Sequence, residues 1–543
     1  MTITRKSRIG ALFALLTMAA IPMACTSTGI LRGHDNGGCE QGVQLTGKGE
    51  IEKPPRGKNK AIDCMTTTYH LPLKNRQAGD EAEFTYSFLE LDERNPTQLK
   101  STTQWEKLDN VLTNGRRKFV ITFIHGWRND ASPSAEDDRR FRTLLTYSRQ
   151  FLNHRCRMER RYCDTQLVGV FVGWRGSVVK EIGDTNLALP VSLWTFWNRK
   201  QKSEQHGAGI VRHIKAIESR LNLDRANPHA DRMMVLGHSF GGNMLATALH
   251  ECLTGAGDRN VFCGEGAQKI KRIANYKANE EAAPPLGNLT VIVNPAAELK
   301  KWSDIQRAVR TRNGYDPNTN QLQDDHLFRR DQRPTYISLT STWNWSAGEV
   351  CQTVKDREEC DGSYDWATGK IFSVGQFYKR NIEERIAIGH FLPTQERPYG
   401  ASHEVVTNEN KAPETNIENG LDPRYAVCDV QDGWLWQTRG FTEAGKGTWD
   451  TGTGDYRHIS GEKWNRLVVS KGISGPWRVV QQFRLGLSPA GAKPGSKASF
   501  EPMNTPFWSV RTAPNAIPAH NSYINYPLWC SLNQMVLDDI TKH

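Results

Sequence analysis

The chain has no C-x-x-C pair, no internal repeat and, after residue 21, no apolar run approaching the ~18 residues that span a bilayer. The missing C-x-x-C, with cysteines scattered along the chain, argues against a zinc site. The lack of a second long apolar run leaves only the N-terminus as a membrane-directed segment. Charge is not one-sided either: 70 basic residues face 59 acidic ones. No nucleic-acid-binding motif accompanies the formal +11, so a nucleic-acid partner is not expected. What is present is 38% hydrophobic residues, including 16 Trp, in 543 residues. That is enough to bury a sizeable core, and it excludes collagen-like, disordered and coiled-coil classes.

The cysteine count is eleven, an odd number. The first segment accounts for the odd one. Arg5, Lys6 and Arg8 precede an apolar run over 9–21, the pattern of an export leader. It ends Ile21-Pro22-Met23-Ala24-Cys25-Thr26. A small residue directly before a Cys, behind an apolar core, resembles a bacterial lipoprotein signal. The resemblance implies cleavage after residue 24 and a lipid on Cys25, which would bring the chain to a membrane surface in the cell envelope. Plain secretion and a retained N-terminal anchor are the alternatives. Losing Arg5, Lys6 and Arg8 with the leader takes the formal charge from +11 to +8. Ten cysteines then remain, and export permits disulfides. Nearest-neighbour pairing gives Cys39–Cys64, Cys156–Cys163, Cys252–Cys263, Cys351–Cys360 and Cys428–Cys530. Connectivity is not dictated by sequence, so these bonds are expectations, firmest for the three short loops.

Residues 25–80 read as an N-terminal tether or arm. A strand is expected over 83–92. Apolar strands are expected at 118–124, 167–172, 233–236, 289–293, 335–339 and 508–511, and helices at 134–153, 209–223, 242–252 and 528–540. This alternation implies an α/β fold with a mostly parallel sheet and helices on both faces. Two excursions interrupt it. Residues 341–364 hold the Cys351 and Cys360 pair. Residues 404–503 are Gly-, Trp- and Asn-rich and read as a large insertion or cap before the last strand. The core would thus run over 81–403 and resume at 504–543.

The strongest chemical signal is Gly237-His238-Ser239-Phe240-Gly241-Gly242, a G-x-S-x-G between a buried strand and a helix. The turn is tight enough to need small residues two positions either side of the Ser. With Phe123-Ile124-His125-Gly126-Trp127, a buried strand ending in His-Gly, it resembles the serine esterase and lipase-like branch of the α/β-hydrolase superfamily. The resemblance covers about 85–403 and 504–543. It implies an α/β-hydrolase fold with Ser239 as nucleophile. It also implies an oxyanion hole from the backbone N–H of Trp127 (or Gly126) and of Phe240, and a chain order of Ser, acid, His. His520, between the last strand and last helix, fits the base; His403 and His390 are rivals that precede the last strand. His238, beside the nucleophile, is expected to be buried and hydrogen-bonded. For the acid, Asp365 in Asp365-Trp366-Ala367-Thr368 follows the strand 335–339, and Glu298 follows the strand 289–293.

The expected activity is cleavage of a small-molecule or lipid ester through an acyl-enzyme, with no cofactor and no metal. The alternative is an inactive hydrolase-fold envelope lipoprotein that binds or scaffolds. The aromatic stretch 187–197, between strand and helix, reads as an acyl pocket, a lid or core packing. Arg199-Lys200-Gln201-Lys202 could attract anionic headgroups or form a solvated helix end.

Overall fold

The computed structural model describes residues 30–341 with short gaps. Beyond these it describes 383, 387–389, 403–407, 467–468, 477–481, 505–512 and a few positions between 517 and 537. Residues 1–29, the excursion holding Cys351, Cys360 and Asp365, His390, Cys428, Cys530 and most of 528–540 lie outside the described residues.

Long apolar runs become central strands. Lys118–Ile124 (β4) alternates so that Phe119, Ile121 and Phe123 face one side of the sheet, while Val120 and Ile124 face the other. Around it lie Val43–Gln44 (β1), Thr66–His70 (β2), Glu83–Glu90 (β3), Gln166–Gly173 (β5), Arg232–His238 (β6), Leu289–Val293 (β7) and Tyr336–Ser341 (β8). His403–Thr407 (β9), Leu467–Val468 (β10), Trp477–Gln481 (β11) and Phe507–Thr512 (β12) follow. Among the described residues these make one sheet of twelve strands, ordered β1-β2-β3-β5-β4-β6-β7-β8-β12-β9-β11-β10. The strands from β3 to β9 in that order are all parallel. Helices cover both faces, as a mostly parallel sheet requires. Glu136–Met158 (α2) packs on one face with Trp529, Leu532 and Val536. On the other lie Thr102–Leu112 (α1), Ala188–Glu218 (α3), Phe240–Thr254 (α4) and Leu299–Arg312 (α5). None of the described helices is long and apolar enough to cross a membrane.

Three expectations change. The stretch 187–197 is not a linker between strand and helix: from residue 188 it belongs to α3, which runs through to Glu218. The helix expected over 209–223 is thus the last part of a longer one, in which Gly207 and Gly209 are close-packing sites. A Cβ at Gly207 would sit 3.1 Å from the Met244 carbonyl oxygen, and one at Gly209 only 1.9 Å from that of Pro96. The insertion 404–503 is not simply an irregular cap: β9, β10 and β11 extend the sheet beyond β12.

The third change concerns the arm, which is part of the fold. β1 and β2 join the sheet, and Cys39–Cys64 ties them together. Cys156–Cys163 and Cys252–Cys263 are also bonded, as chains matured under oxidising conditions allow. Arg32 is 1% exposed. Its Nε donates to the Ala131 carbonyl at 2.7 Å, its guanidinium pairs with Asp138 at 3.3 Å, and it lies 4.0 Å over the Phe88 ring. Because removing one member of a buried ion pair leaves uncompensated charge, Arg32→Ala is expected to cost about 3 kcal/mol. Denaturant unfolding checks this, with Arg32→Lys rescuing little because it lacks the planar fork.

Candidate active site

The site is built at the C-terminal edge of the parallel strands. β6 ends at His238, and the next residue, Ser239, adopts φ 54° and ψ −115°, a left-handed backbone rare for a residue with a side chain. The turn folds so closely on itself that a Cβ at Gly237 would lie 2.8 Å from the Gly241 carbonyl oxygen. A Cβ at Gly241 would lie 2.1 Å from the Ile124 carbonyl oxygen at the end of β4. Only glycine fits either place, which is the physical content of the G-x-S-x-G spacing. Ser239 N–H donates to the Val293 carbonyl at 3.1 Å, and the Ser239 carbonyl accepts from Asn243 and Ala296. The strained turn is therefore held by β7 and by the first turn of α4.

His520 Nε2 lies 2.9 Å from Ser239 Oγ, although 281 residues separate them. That is within reach for proton transfer. The loop carrying His520 is fixed through its backbone. The His520 carbonyl accepts from His238 Nε2 at 3.1 Å and from Asn294 Nδ2 at 2.8 Å. Asn294 Oδ1 accepts in turn from the Ser341 N–H at 2.7 Å, and Ser341 Oγ donates to the Ile517 carbonyl. The ends of β6, β7 and β8 all grip this loop. His238 is buried and hydrogen-bonded, in line with its sequence reading.

The loop after β4 passes directly over Ser239. A Cβ on Gly126 would come within 2.9 Å of Ser239 Cβ. The Gly126 N–H, the expected alternative to Trp127, points elsewhere. It donates to Asp137 Oδ2 at 3.0 Å, which leaves Trp127 and Phe240 of the expected donors. Phe240 opens α4, where N–H groups have no partner within the helix. His125 is fixed in one tautomer by its partners: Nε2 accepts from the Trp174 N–H at 3.1 Å, so Nδ1 carries the proton toward the Gly126 carbonyl at 2.9 Å. Burial lowers its pKa. Beside the loop, Trp127 stands edge-on to Phe196 at 5.1 Å, and Phe196 packs on Phe240 at 5.0 Å. Phe196 is buried while Trp127 and Trp197 are half-buried, so this part of the aromatic stretch is partly core and partly wall.

Asp137 was not expected at the site. Its acidic run at the start of α2 reads as complementing the helix dipole. In the fold it is fully buried and joins three elements. Oδ2 accepts from Gly126 N–H and faces His238 Nδ1 at 3.5 Å; Oδ1 accepts from Arg140 at 2.9 Å and Tyr523 OH at 3.2 Å. Burial alone would raise its pKa, but His238, Arg140 and the Gly126 N–H hold the carboxyl well below the usual range.

Glu298 lies in a different cluster. Its carboxylate pairs with Lys200 and, at 3.0 Å, with Lys301, which also binds Glu204 at 3.0 Å. Burial opposes ionisation there, yet the two lysines hold its pKa well down. Arg199 is likewise buried and paired with Glu93, so the basic run 199–202 is largely neither a headgroup patch nor a solvated helix end. His403 is in β9, paired in register with Val510. Asp365 and His390 lie outside the described residues.

No protein-family model matches the chain, and no curated protein does. Among solved structures it is weakly similar to an uncharacterized protein from Pseudomonas aeruginosa, at 12% identity over 48% of this chain and 42% of that one. The TM-score is 0.16, too low to carry an argument.

The Asp137 geometry yields a stability test. A carboxyl whose pKa is depressed by folding contributes stability that is full above the unfolded value, about 3.9, and is lost as the pH falls below it. Asp137→Asn is therefore expected to lower stability by about 3 kcal/mol at pH 7. It should also flatten the fall of the unfolding midpoint between about pH 5 and pH 2. Thermal unfolding across that range checks both.

Proposed function

We propose that this chain is an exported serine hydrolase of the α/β-hydrolase class that cleaves carboxylic esters through an acyl-enzyme. The single observation that carries this is the 2.9 Å contact between His520 Nε2 and Ser239 Oγ, made on a strained strand-to-helix turn. A serine hydroxyl is a weak nucleophile until a base takes its proton, and an imidazole at this distance supplies that base. In the proposed reaction Ser239 Oγ attacks the ester carbonyl carbon while His520 accepts its proton. The oxyanion rests on the backbone N–H groups of Trp127 and Phe240, each such donor contributing roughly 3–4 kcal/mol. The alkoxide leaves with the proton from His520. Water, deprotonated by the same imidazole, then releases the acid and restores Ser239. Asp365 is the proposed carboxylate that orients His520. The export leader and the lipid on Cys25 belong to this reading and place the enzyme in the cell envelope. The three disulfides support an oxidising compartment.

A fluorophosphonate probe is expected to label the folded chain at Ser239, and Ser239→Ala should abolish labelling. Absence of labelling would instead favour an inactive binding or scaffolding protein. For the acid, Asp365→Asn is expected to slow cleavage of a short p-nitrophenyl ester by up to on the order of 10⁴, as loss of a triad carboxylate does elsewhere. Glu298→Gln should stay within a few-fold per folded molecule. The reverse ranking would assign the acid to Glu298.

A further inference from the structure

His238, the residue before Ser239, is bonded to His520 itself. Three neighbours fix its buried ring. Nε2 donates to the His520 carbonyl at 3.1 Å, Nδ1 faces Asp137 Oδ2 at 3.5 Å, and the ring lies 4.3 Å from that of Tyr523. A carbonyl oxygen only accepts, so the hydrogen on Nε2 is required by its partner.

The carbonyl that His238 meets is joined to the Cα that carries the imidazole of His520. Asn294 Nδ2 donates to the same oxygen at 2.8 Å, so both of its lone pairs are used. Two donors, from the ends of β6 and β7, thus fix the orientation of one peptide group. With only one of them, that peptide turns about the remaining bond and the His520 ring turns with it.

Asp137 in turn fixes His238. Its Oδ2 faces His238 Nδ1, and its Oδ1 accepts from the Tyr523 hydroxyl at 3.2 Å, which sets the ring beside His238. One wholly buried carboxylate therefore determines both a nitrogen and a face of the His238 ring. The oxygen that faces His238 also accepts from the Gly126 N–H at 3.0 Å, on the loop that carries Trp127. The peptide of His520 and the proposed oxyanion loop are referred to the same atom.

We infer that Asp137 and His238 are positioning residues for His520, a second carboxylate–imidazole pair that exchanges no proton with Ser239 and holds the base within reach of it. The proposed acid orients the ring of His520; this pair fixes the peptide group from which that ring projects. The kinetic consequence rests on the hydrolase reading, whereas the geometric one can be tested without turnover.

The experiment compares variants of the full chain. His238→Leu removes the donor. His238→Gln places an amide N–H near the position of Nε2, and so keeps the bond to His520 while losing Nδ1. In crystals of His238→Leu the 2.9 Å contact between His520 Nε2 and Ser239 Oγ is expected to open beyond about 3.5 Å, and in His238→Gln to persist. With a p-nitrophenyl ester, His238→Leu should lower kcat per folded molecule by about a hundredfold, the order of loss that a small misplacement brings. KM should stay within about threefold, and His238→Gln should recover all but about fivefold of kcat. Asp137→Asn should also lower kcat, and the double variant with His238→Leu should be no slower than the slower single one, because the two act as a unit. Should His238→Leu fail to fold, His238→Asn takes its place with the same expectations, since its shorter amide cannot reach the His520 carbonyl.

A folded His238→Leu chain that keeps the 2.9 Å contact overturns the proposal, as does one whose kcat stays within about threefold of the starting chain. His238→Gln as slow as His238→Leu overturns it too, because the donated hydrogen bond would then not be what matters. Losses that multiply in the double variant give Asp137 a separate role and end the claim of a pair. If the unaltered chain neither cleaves esters nor reacts with a fluorophosphonate, the hydrolase reading falls, and the crystal comparison alone decides whether Asp137 and His238 position His520.

Discussion

One buried carboxylate holds the site together. Asp137, at the start of α2, accepts from the Gly126 N–H, from Arg140 and from Tyr523, and faces His238. Arg140 lies on α2 itself, and the other three groups come from the loop over Ser239, the residue before Ser239, and the segment after His520. Without Asp137 the buried Gly126 N–H would lose its partner, which costs about 1–3 kcal/mol. By holding Gly126 against Ser239, Asp137 also removes one N–H from the expected oxyanion donors. A loop that lies this close to Ser239 needs an internal anchor, and here the anchor consumes a donor that simple analogy would have assigned to chemistry.

The turn at Ser239 has a second requirement: strain must be over-determined by its surroundings. Positive φ at a serine costs of the order of 1–3 kcal/mol. Three backbone hydrogen bonds to Ser239, from α4 and from both sides of Asn294, oppose its relaxation. Asn294 is itself at φ 44° and binds both the His520 carbonyl and Ser341. Two strained residues thus stand side by side, one carrying the Ser239 hydroxyl and the other holding the backbone of His520. The positions of Ser239 and His520 are therefore set together at this edge of the sheet.

Much of this was legible in sequence because it was local. The limits of β4 and β7 coincide with the expected ones, since continuous apolar runs flanked by polar residues leave little choice of register. The G-x-S-x-G turn was legible because its glycines are demanded by contacts within a few residues. Helix α1 was not recognised. Its inward face begins with Gln104, which is fully buried because it bonds Glu90 and the Arg32 carbonyl, so hydrophobic periodicity is broken at the start. The buried arm was missed for the same reason: Arg32 and Glu90 are charged residues made internal by each other's neighbourhood. The second role of Asp137 depends on groups eleven to 386 residues away, and no spacing rule encodes that.

The charge balance under α4 bears on which carboxylate can serve His520. Glu298 and Glu204 face Lys200 and Lys301, two anions for two cations in a mostly buried cluster. Lys301 also donates to Asn243, one turn into the nucleophile helix, whose amide donates to Ser203 on α3. This cluster is therefore a brace between α3, α4 and α5. A triad carboxylate must stabilise an imidazolium that forms during the reaction. Glu298 already answers two ammonium groups, and turning it toward His520 would strand buried cations at a cost of several kcal/mol. For the proposed hydrolase, the acid is better sought on the chain after β8. That chain starts at Ser341, whose N–H and hydroxyl grip Asn294 and the Ile517 carbonyl, directly beside the loop that carries the base. Asp365, the carboxylate proposed to orient His520, lies downstream of that point and outside the described residues.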